Sequence, residues 1–175
     1  MLKAVLVIAS KNFQDEEFFR PKEVLEEAGI DVIPASDRLG TAKGSEGGEV
    51  NIIYTLKDLL SIKYDALVFI GGTGALKYLD NILSYQLLKR TAKQKKIIGA
   101  ICIAPLILAR AGILQGKKAT IWTSTLYQKS AKELKQLGAY YIDSPVVQDG
   151  LIVTANGPSA AELFGGKLID VLTNN

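Results

Sequence analysis

The amino-acid sequence predicts an α/β protein with a mostly parallel sheet covered by helices on both faces. Strand-like and helix-like segments alternate along the whole chain, and the strand-like segments are short apolar runs rich in valine and isoleucine. Strands that are buried on both faces read as continuous apolar runs, and their alternation with helices is typical of parallel sheets. In such sheets, ligands bind beyond the carboxyl ends of the strands.

The first half of the chain supplies three predicted strands and a hairpin. The strands are KAVLVIA (3–9), DVIPAS (31–36) and DALVFI (65–70). A helical pattern follows the first strand and ends at Gly29, since glycine commonly stops a helix. Residues 40–55 are rich in glycine and predict a loop or hairpin, and LKDLLSIK (56–63) predicts a short helix.

The second half continues the alternation. A helix is predicted over 81–94, followed by the strand KKIIGAI (95–101) and a helix that runs to Gly112. The remaining predicted strands are KKATIW (117–122), YYI (140–142) and LIVTAN (151–156), with a helix over 130–138 and a last helix from Pro158. Proline suits the first position of a helix, which supports that last boundary.

Length and composition exclude several classes of protein. A chain of 175 residues predicts one domain, 1–175, and its hydrophobic (48%) and charged (22%) fractions are those of an ordinary globular protein. A net charge of +3 without a basic stripe argues against a nucleic-acid partner. The longest apolar run, 97–109, is interrupted by Pro105 and too short to span a membrane. One cysteine cannot form an intramolecular disulfide, so we expect a cytoplasmic protein.

The sequence contains no histidine. A Ser-His-Asp triad, a Cys-His dyad or a histidine-based metal site therefore cannot form from this chain or from copies of it. We expect no metal and no cofactor. Any chemistry at the single cysteine must use other partners.

Cys102 is the first candidate catalytic residue. It lies between a predicted strand and a predicted helix, with the small residues Ala100 and Ala104 two positions away on either side. A nucleophile elbow requires such small neighbours because the strand-to-helix turn is tight. The helix N-terminus would favour the thiolate and lower the pKa of the thiol. The alternative is a buried, unreactive cysteine.

Glu17 is the second candidate. Helical spacing places Glu16 on a polar face, whereas Glu17 falls on the apolar stripe with Pro21, Val24 and Ala28. A carboxylate on the side that faces the core needs a partner. If that partner is Cys102, the pair would share one proton, because two buried anions in contact are costly. The alternative is an acid that is stabilised by the start of its helix.

The GGTG loop, residues 71–74, follows the strand 65–70. It lacks the lysine of a P-loop and the spacing of a dinucleotide fingerprint, so nucleotide binding is disfavoured. Its backbone N–H groups could form an oxyanion site beside the thiol. A plain tight turn is the alternative.

Taken together, these motifs resemble the ThiJ/PfpI family, which includes the parkinsonism-associated deglycase and intracellular proteases. The resemblance covers nearly the whole chain and rests on Glu17 four residues before Pro21, on YDALVFIGG (64–72), on AICIAP (100–105) and on DGLIVTANGP (149–158). It implies a flavodoxin-like three-layer sandwich. It also implies a homodimer or a larger assembly of identical chains.

The resemblance assigns roles to individual residues. Cys102 is implied as the elbow nucleophile and Glu17 as the carboxyl group that faces it. Gly72 and Ile103 are implied as backbone donors to an oxyanion. The predicted pocket also includes Gly71, Thr73, Trp122 and Thr123.

Two positions depart from the family pattern. Protease-type members carry histidine after the cysteine, where this chain has Ile103, and the next residue is Ala104 instead of glycine. Deglycase-type members carry another histidine beyond the following strand, near the position of Trp122.

These observations leave four functions open. The first is a cofactor-independent thiol enzyme that acts weakly on small reactive carbonyls, like a glyoxalase or deglycase. The second is a redox-responsive or chaperone-like stress protein whose cysteine meets an oxidant. The third, a peptidase or amidase, is disfavoured because thiol peptidases use a base that this chain lacks. The fourth is a repurposed pocket without turnover.

Overall fold

The computed structural model describes residues 1–174 and is built around a seven-stranded sheet. The strands are β1 (Lys3–Val7), β2 (Lys11–Phe13), β3 (Asp31–Ser36), β4 (Gly40–Gly44), β5 (Glu49–Ile52), β6 (Tyr54–Thr55), β7 (Ala66–Phe69), β8 (Ile97–Ile101), β9 (Lys118–Ala119), β10 (Tyr140–Tyr141), β11 (Val146–Asp149) and β12 (Ile152–Ala155). The helices are α1 (Asp15–Glu27), α2 (Ala75–Tyr78), α3 (Ile82–Lys93), α4 (Pro105–Arg110), α5 (Lys129–Gln136) and α6 (Ala161–Thr173), with 3₁₀ turns at Asp58–Leu60 and Pro158–Ala160.

The central sheet has the strand order β11-β12-β8-β7-β1-β3-β6. Every neighbouring pair is parallel except β11 and β12, which are antiparallel. The central strands β7 and β8 are buried at every residue, because helices cover both faces. The predicted parallel sheet is therefore confirmed. Its carboxyl edge carries the ends of β1, β7 and β8, from which the predicted site residues emerge.

The helices form one layer on each side of this sheet. Helices α1 and α6 pack against each other on one face, and their apolar residues join one core cluster that includes Phe18, Leu25, Phe164 and Leu168. Helices α3, α4 and α5 cover the other face and contribute to the second cluster. This arrangement is the three-layer sandwich that the resemblance implied.

The glycine-rich segment forms a small second sheet beside α1. Strands β4 and β5 pair antiparallel, as the hairpin prediction expected, and β2 adds to β4. The buried Asp15 carboxylate accepts hydrogen bonds from the backbone N–H groups of Glu46 (2.8 Å) and Gly48 (2.6 Å). This contact joins the turn of the hairpin to the first turn of α1.

The predicted strand KKATIW is shorter than expected and, like the predicted strand YYI, lies outside the central sheet. Of KKATIW only Lys118–Ala119 is a strand, and it pairs with β10 outside the central sheet. The backbone N–H groups that follow have other partners. That of Thr120 donates to the Thr154 hydroxyl (2.9 Å), and that of Trp122 donates to the carbonyl of Cys102 (2.9 Å).

The GGTG loop packs closely against the segment that follows β1, at Lys11. Substitution of Gly74 tests this close contact. A Cβ atom on Gly74 would lie 1.9 Å from the Lys11 carbonyl oxygen. We expect Gly74→Ala to lower the free energy of unfolding by about 1–3 kcal/mol, as overpacking does. Gly166→Ala is the control, because a Cβ atom there meets nothing within 4 Å and alanine favours the helix, which should raise stability by about 0.4–1 kcal/mol. Equal effects of the two changes in urea unfolding would contradict the close contact.

Candidate active site

Cys102 occupies a strained turn between β8 and α4. Its φ angle is 63°, in the left-handed region that residues with a side chain rarely adopt. Such a conformation costs on the order of 1–3 kcal/mol and persists where the surroundings impose it. Here the Cys102 N–H donates to the Ala155 carbonyl (2.9 Å), and the Cys102 carbonyl accepts from Trp122. Both backbone groups of the strained residue are therefore fixed by neighbouring segments.

The elbow also depends on small neighbours. Ala100 and Ala104 are fully buried, which leaves no space for larger side chains at these positions. Across the turn, a Cβ atom on Gly71 would lie 2.5 Å from the Cβ atom of Cys102. Only glycine at residue 71 therefore allows β7 to end this close to the thiol.

Glu17 lies in the first turn of α1 and is fully buried, whereas Glu16 is exposed. The helical spacing that placed Glu17 on the apolar side of the helix thus predicted correctly which of the two acids is buried. Its backbone N–H donates to the side-chain oxygen of Gln14, which caps the helix (2.8 Å). The helix begins at Asp15 and includes Pro21, so the proline does not mark its start.

The Glu17 carboxyl group reaches the cysteine across Gly71. Its Oε2 atom accepts a hydrogen bond from the Gly71 N–H (3.1 Å). The Cβ position of Gly71 is 2.6 Å from that oxygen and 2.5 Å from Cys102 Cβ, so the carboxyl group and the cysteine lie on either side of one glycine. Glu17 Oε1 has no hydrogen-bond partner of regular geometry within residues 1–174, although the carboxyl group lies near enough to the thiol to affect both pKa values.

Burial dominates the electrostatics of this pair. It raises the pKa of Glu17 from 4.5 to about 7, while the Cys102 thiol and the Gly71 N–H moderate the increase. Burial also raises the pKa of the Cys102 thiol, and the adjacent Glu17 carboxylate raises it further. The backbone N–H groups of Gly72 and Ile103 act in the opposite direction and lower the pKa of the thiol.

The expectation of an unusually acidic thiol is therefore wrong, because burial of Cys102 is the largest cause of its raised pKa. Helix α4 has only six residues and begins at Pro105, three positions after the cysteine. Burial is the largest influence on the pKa of Cys102, followed by the neighbouring Glu17 carboxylate, and both raise it. The two groups titrate as a coupled pair, and the carboxyl group of Glu17 loses its proton before the thiol does as the pH rises.

The GGTG loop brings two backbone donors to the site, the N–H group of Gly71 beside Glu17 and that of Gly72 beside Cys102. Gly72 has a φ angle of 104°, and a Cβ atom there would lie 2.5 Å from the backbone nitrogen of Gln14. The Gln14 N–H in turn donates to the Gly71 carbonyl (3.1 Å). This packing aligns the loop with the start of α1, so that Gly72 and Glu17 reach the same sulfur atom.

Cys102 and Glu17 open into a pocket of about 500 Å³. Of the predicted site residues, Cys102, Glu17, Gly72, Ile103, Thr73 and Trp122 line it. Gly71 lies behind the carboxyl group that it binds. Thr123 does not line the pocket, although its neighbour Trp122 does. The Thr123 side chain points away from the pocket, and its hydroxyl lies 3.5 Å from the hydroxyl of Tyr141.

Sequence reasoning missed part of the lining. The additional residues are Gln14, Ser45, Leu76, Tyr127 and Pro158. Gln14 directly precedes the acidic cluster, and Pro158 ends the DGLIVTANGP motif, so proximity to known motifs could have indicated both. No pattern in the sequence points to Ser45, Leu76 or Tyr127, which reach the pocket through tertiary packing.

Comparison with known proteins identifies the family. The sequence matches the DJ-1/PfpI family over residues 3–171. The chain belongs to this family. The resemblance to the ThiJ/PfpI family that the motifs indicated is therefore confirmed.

Individual members of the DJ-1/PfpI family are similar over most of their length. An uncharacterized protein of Methanocaldococcus jannaschii is 39% identical over 99% of this chain and 83% of its own. A deglycase of Thermococcus kodakarensis is 32% identical over 88% of this chain and 90% of its own. Among solved structures, a ThiJ/PfpI domain protein from Brachyspira murdochii has a TM-score of 0.91 and 31% identity, covering 99% of this chain and 97% of that one. The flavodoxin-like fold of the family is thus shared.

Two further properties concern the described part of the chain. No helix within residues 1–174 is long and apolar enough to cross a membrane. The same residues contain no group of three or more histidine, cysteine, aspartate or glutamate side chains that could hold a metal ion.

The raised pKa of Glu17 predicts a specific dependence of stability on pH. The folded protein retains a proton that the unfolded chain releases between pH 4.5 and about 7, so the free energy of unfolding falls as the pH rises through this range. At about 1.4 kcal/mol for each pKa unit, the loss is about 3 kcal/mol. Glu17→Gln should remove it, as measured by urea unfolding across the range. Glu16→Gln, at the exposed neighbour, should retain it, and equal slopes for the two variants would contradict the assignment.

The same carboxylate should also control how the thiol ionises. We expect Glu17→Gln to shift the midpoint of Cys102 alkylation by iodoacetamide to lower pH, because the anion that opposes thiolate formation is gone. Alkylation of the single cysteine can be followed by mass spectrometry. An unchanged midpoint, or a shift of equal size in Glu16→Gln, would show that the two groups do not interact.

Proposed function

We propose that this protein is a cofactor-independent thiol enzyme that acts on small reactive carbonyls, as a glyoxalase or deglycase does. The observation that carries the proposal is the fully buried Glu17 carboxyl group beside the Cys102 thiol, with Oε2 bound by Gly71 and the thiol close enough to lower the pKa of the carboxyl group. Several family relatives named deglycase support the same conclusion.

The first step proposed is addition of the thiol to the aldehyde carbon of a 2-oxoaldehyde. Cys102 Sγ forms a bond to this carbon while the thiol proton passes to the Glu17 carboxylate. Glu17 then gives the proton to the former aldehyde oxygen, which yields a hemithioacetal. The raised pKa of the thiol makes this transfer to a neighbouring base necessary, and a base with a pKa of about 7 is suited to it near neutral pH.

The second step proposed moves a proton between adjacent carbons. The Glu17 carboxylate removes the hydrogen from the carbon bonded to sulfur and returns a proton to the neighbouring carbon. In the same step the proton of the hemithioacetal hydroxyl passes to the oxygen on that neighbouring carbon, so the hemithioacetal becomes a thioester of a 2-hydroxy acid. The N–H groups of Gly72 and Ile103 are placed to stabilise negative charge on oxygen during this transfer. Water then hydrolyses the thioester, releasing the acid and restoring the thiol.

We expect this reaction to be slow. Both histidine positions of the related enzymes hold other residues, Ile103 and Trp122, and a missing acid or base typically lowers the rate by about 10²–10⁴-fold. Peptide cleavage is disfavoured for the same reason, since the chain has no histidine, the residue that thiol peptidases normally use as their base.

Oxidation of Cys102 is a second candidate function. The thiol is partly accessible from the pocket, and the N–H groups of Gly72 and Ile103 near the sulfur could bind its oxygen atoms after oxidation. Peroxide would convert the thiol to a sulfenic acid and water, and a second peroxide would give the sulfinic acid and water. A stable mass gain of two oxygen atoms on Cys102, without turnover of carbonyls, would favour this function.

The setting and assembly of the protein remain predictions. We propose a cytoplasmic protein that associates as a homodimer or larger homo-oligomer, since the family resemblance implies self-association. The proposed partners beyond itself are a small carbonyl compound or an oxidant, with no nucleic acid and no membrane.

Turnover of methylglyoxal to lactate tests the proposed enzyme. We expect slow conversion that needs neither glutathione nor added metal, and a rate that increases with pH through about 7 as Glu17 becomes a carboxylate. Cys102→Ala should abolish conversion, and Glu17→Gln should lower it by about 10²–10⁴-fold.

The matched control is Glu16→Gln, which removes an exposed acid from the same helical turn. It should leave the rate unchanged. If lactate forms no faster with the wild-type protein than with Cys102→Ala in a chirally resolved assay, the proposed enzyme activity is wrong.

A further inference from the structure

The walls of the pocket differ in chemistry, and this difference suggests the substrate. One wall is apolar and consists of Leu76, Ile103, Trp122, Tyr127 and Pro158. We infer that Trp122 and Tyr127 form an aromatic subsite, so that the pocket prefers carbonyl compounds with an aryl side chain over small aliphatic ones. This inference rests on the proposed function, and it names the class of substrate that the same site would take.

Trp122 is fixed at the edge of the catalytic turn. Its backbone N–H donates to the Cys102 carbonyl (2.9 Å), and its own carbonyl accepts from the Ser130 hydroxyl (2.5 Å). On the other side, a Cβ atom on Gly157 would lie 3.3 Å from Trp122 Cδ1. The backbone of Trp122 is therefore fixed by the elbow and by Ser130, and its indole lies against Gly157.

Tyr127 faces Trp122 from a tight turn. The centroids of the two rings are 5.4 Å apart at an interplanar angle of 40°, within the range of favourable aromatic pairs. The turn is closed by reciprocal backbone hydrogen bonds between Ser124 and Tyr127 (3.0 and 3.1 Å). Trp122 and Tyr127 nevertheless remain 37% and 41% exposed, so a third aromatic ring in the pocket would bury aromatic surface that water now covers.

The charges of the lining favour a neutral ligand. Among residues 1–174, those that line the pocket include one carboxylic acid, Glu17, and no lysine or arginine. Phosphate recognition generally uses cationic side chains. A neutral apolar side chain on the substrate therefore fits this pocket better than a phosphorylated one.

Binding can be tested without turnover because Trp122 is the only tryptophan. Its indole N–H gives one resonance in ¹⁵N-labelled protein, which we would follow during titration with acetophenone and with acetone, neutral ketones that differ in the aryl group. We expect acetophenone to bind at least about 10-fold more tightly, since a hydrophobic pocket gains about 10–200-fold from one added methylene. Equal affinities, or no response to either ketone, would overturn the inference.

Two variants establish where the preference arises. Tyr127→Ala should reduce the difference between the ketones. Leu126→Ala is the control, because Leu126 is 98% exposed on the same turn and does not line the pocket; it should retain the difference. Equal behaviour of the two variants would show that the aromatic pair is not the subsite.

Kinetics separate this inference from the proposed enzyme. With phenylglyoxal and methylglyoxal as substrates, we expect kcat/KM to favour phenylglyoxal by at least about 10-fold, with the preference reduced in Tyr127→Ala. Turnover of both compounds that depends on Cys102 but shows no preference would contradict the aromatic subsite and leave the enzyme function intact. Selective binding of acetophenone without turnover of either aldehyde would support the subsite and contradict the enzyme.

Discussion

The structure of the site depends on the contact between two buried ionisable groups, Glu17 and Cys102. Bringing both out of water raises the pKa of each, and only one of them can lose its proton easily. Three backbone N–H groups contact the pair. That of Gly71 donates to one carboxyl oxygen of Glu17, and those of Gly72 and Ile103 lie near the sulfur of Cys102. The carboxyl group beside the sulfur atom is thus the one of the pair that loses its proton first as the pH rises.

Close backbone packing makes that contact possible. The carboxyl end of β7 continues into glycines that lie against both the elbow and the segment 11–14. Because a Cβ atom at residue 71 would contact both Cys102 and Glu17, the space between the two groups is as wide as one glycine. Asp15 fixes the same helical turn from the other side by binding the hairpin between β4 and β5. Several local constraints therefore converge on the position of one carboxyl group.

Sequence reasoning predicted the parts of the molecule that depend on local pattern. The elbow follows from small residues around Cys102, the burial of Glu17 from helical spacing, and the sheet from its apolar runs. The prediction failed where tertiary contacts decide the structure. After Ala119 the chain does not continue as a strand, and the Trp122 N–H donates to the elbow at Cys102. Tyr127 reaches the pocket from a turn 25 positions after the cysteine. The pKa of Cys102 was misjudged because burial depends on the whole fold, whereas the helix start was visible in the sequence.

Because the chain contains no histidine, Glu17 is the titratable group that lies beside the Cys102 thiol. Desolvation is the largest cause of its raised pKa, since the carboxyl group is fully buried. Free histidine has a pKa of about 6.5, and buried Glu17 reaches about 7. A carboxyl group in this pocket therefore exchanges protons in the range where an imidazole would, which is what a base near neutral pH requires. Burial of this carboxyl group thus gives a chain without histidine a titratable group with a pKa near neutrality beside its cysteine.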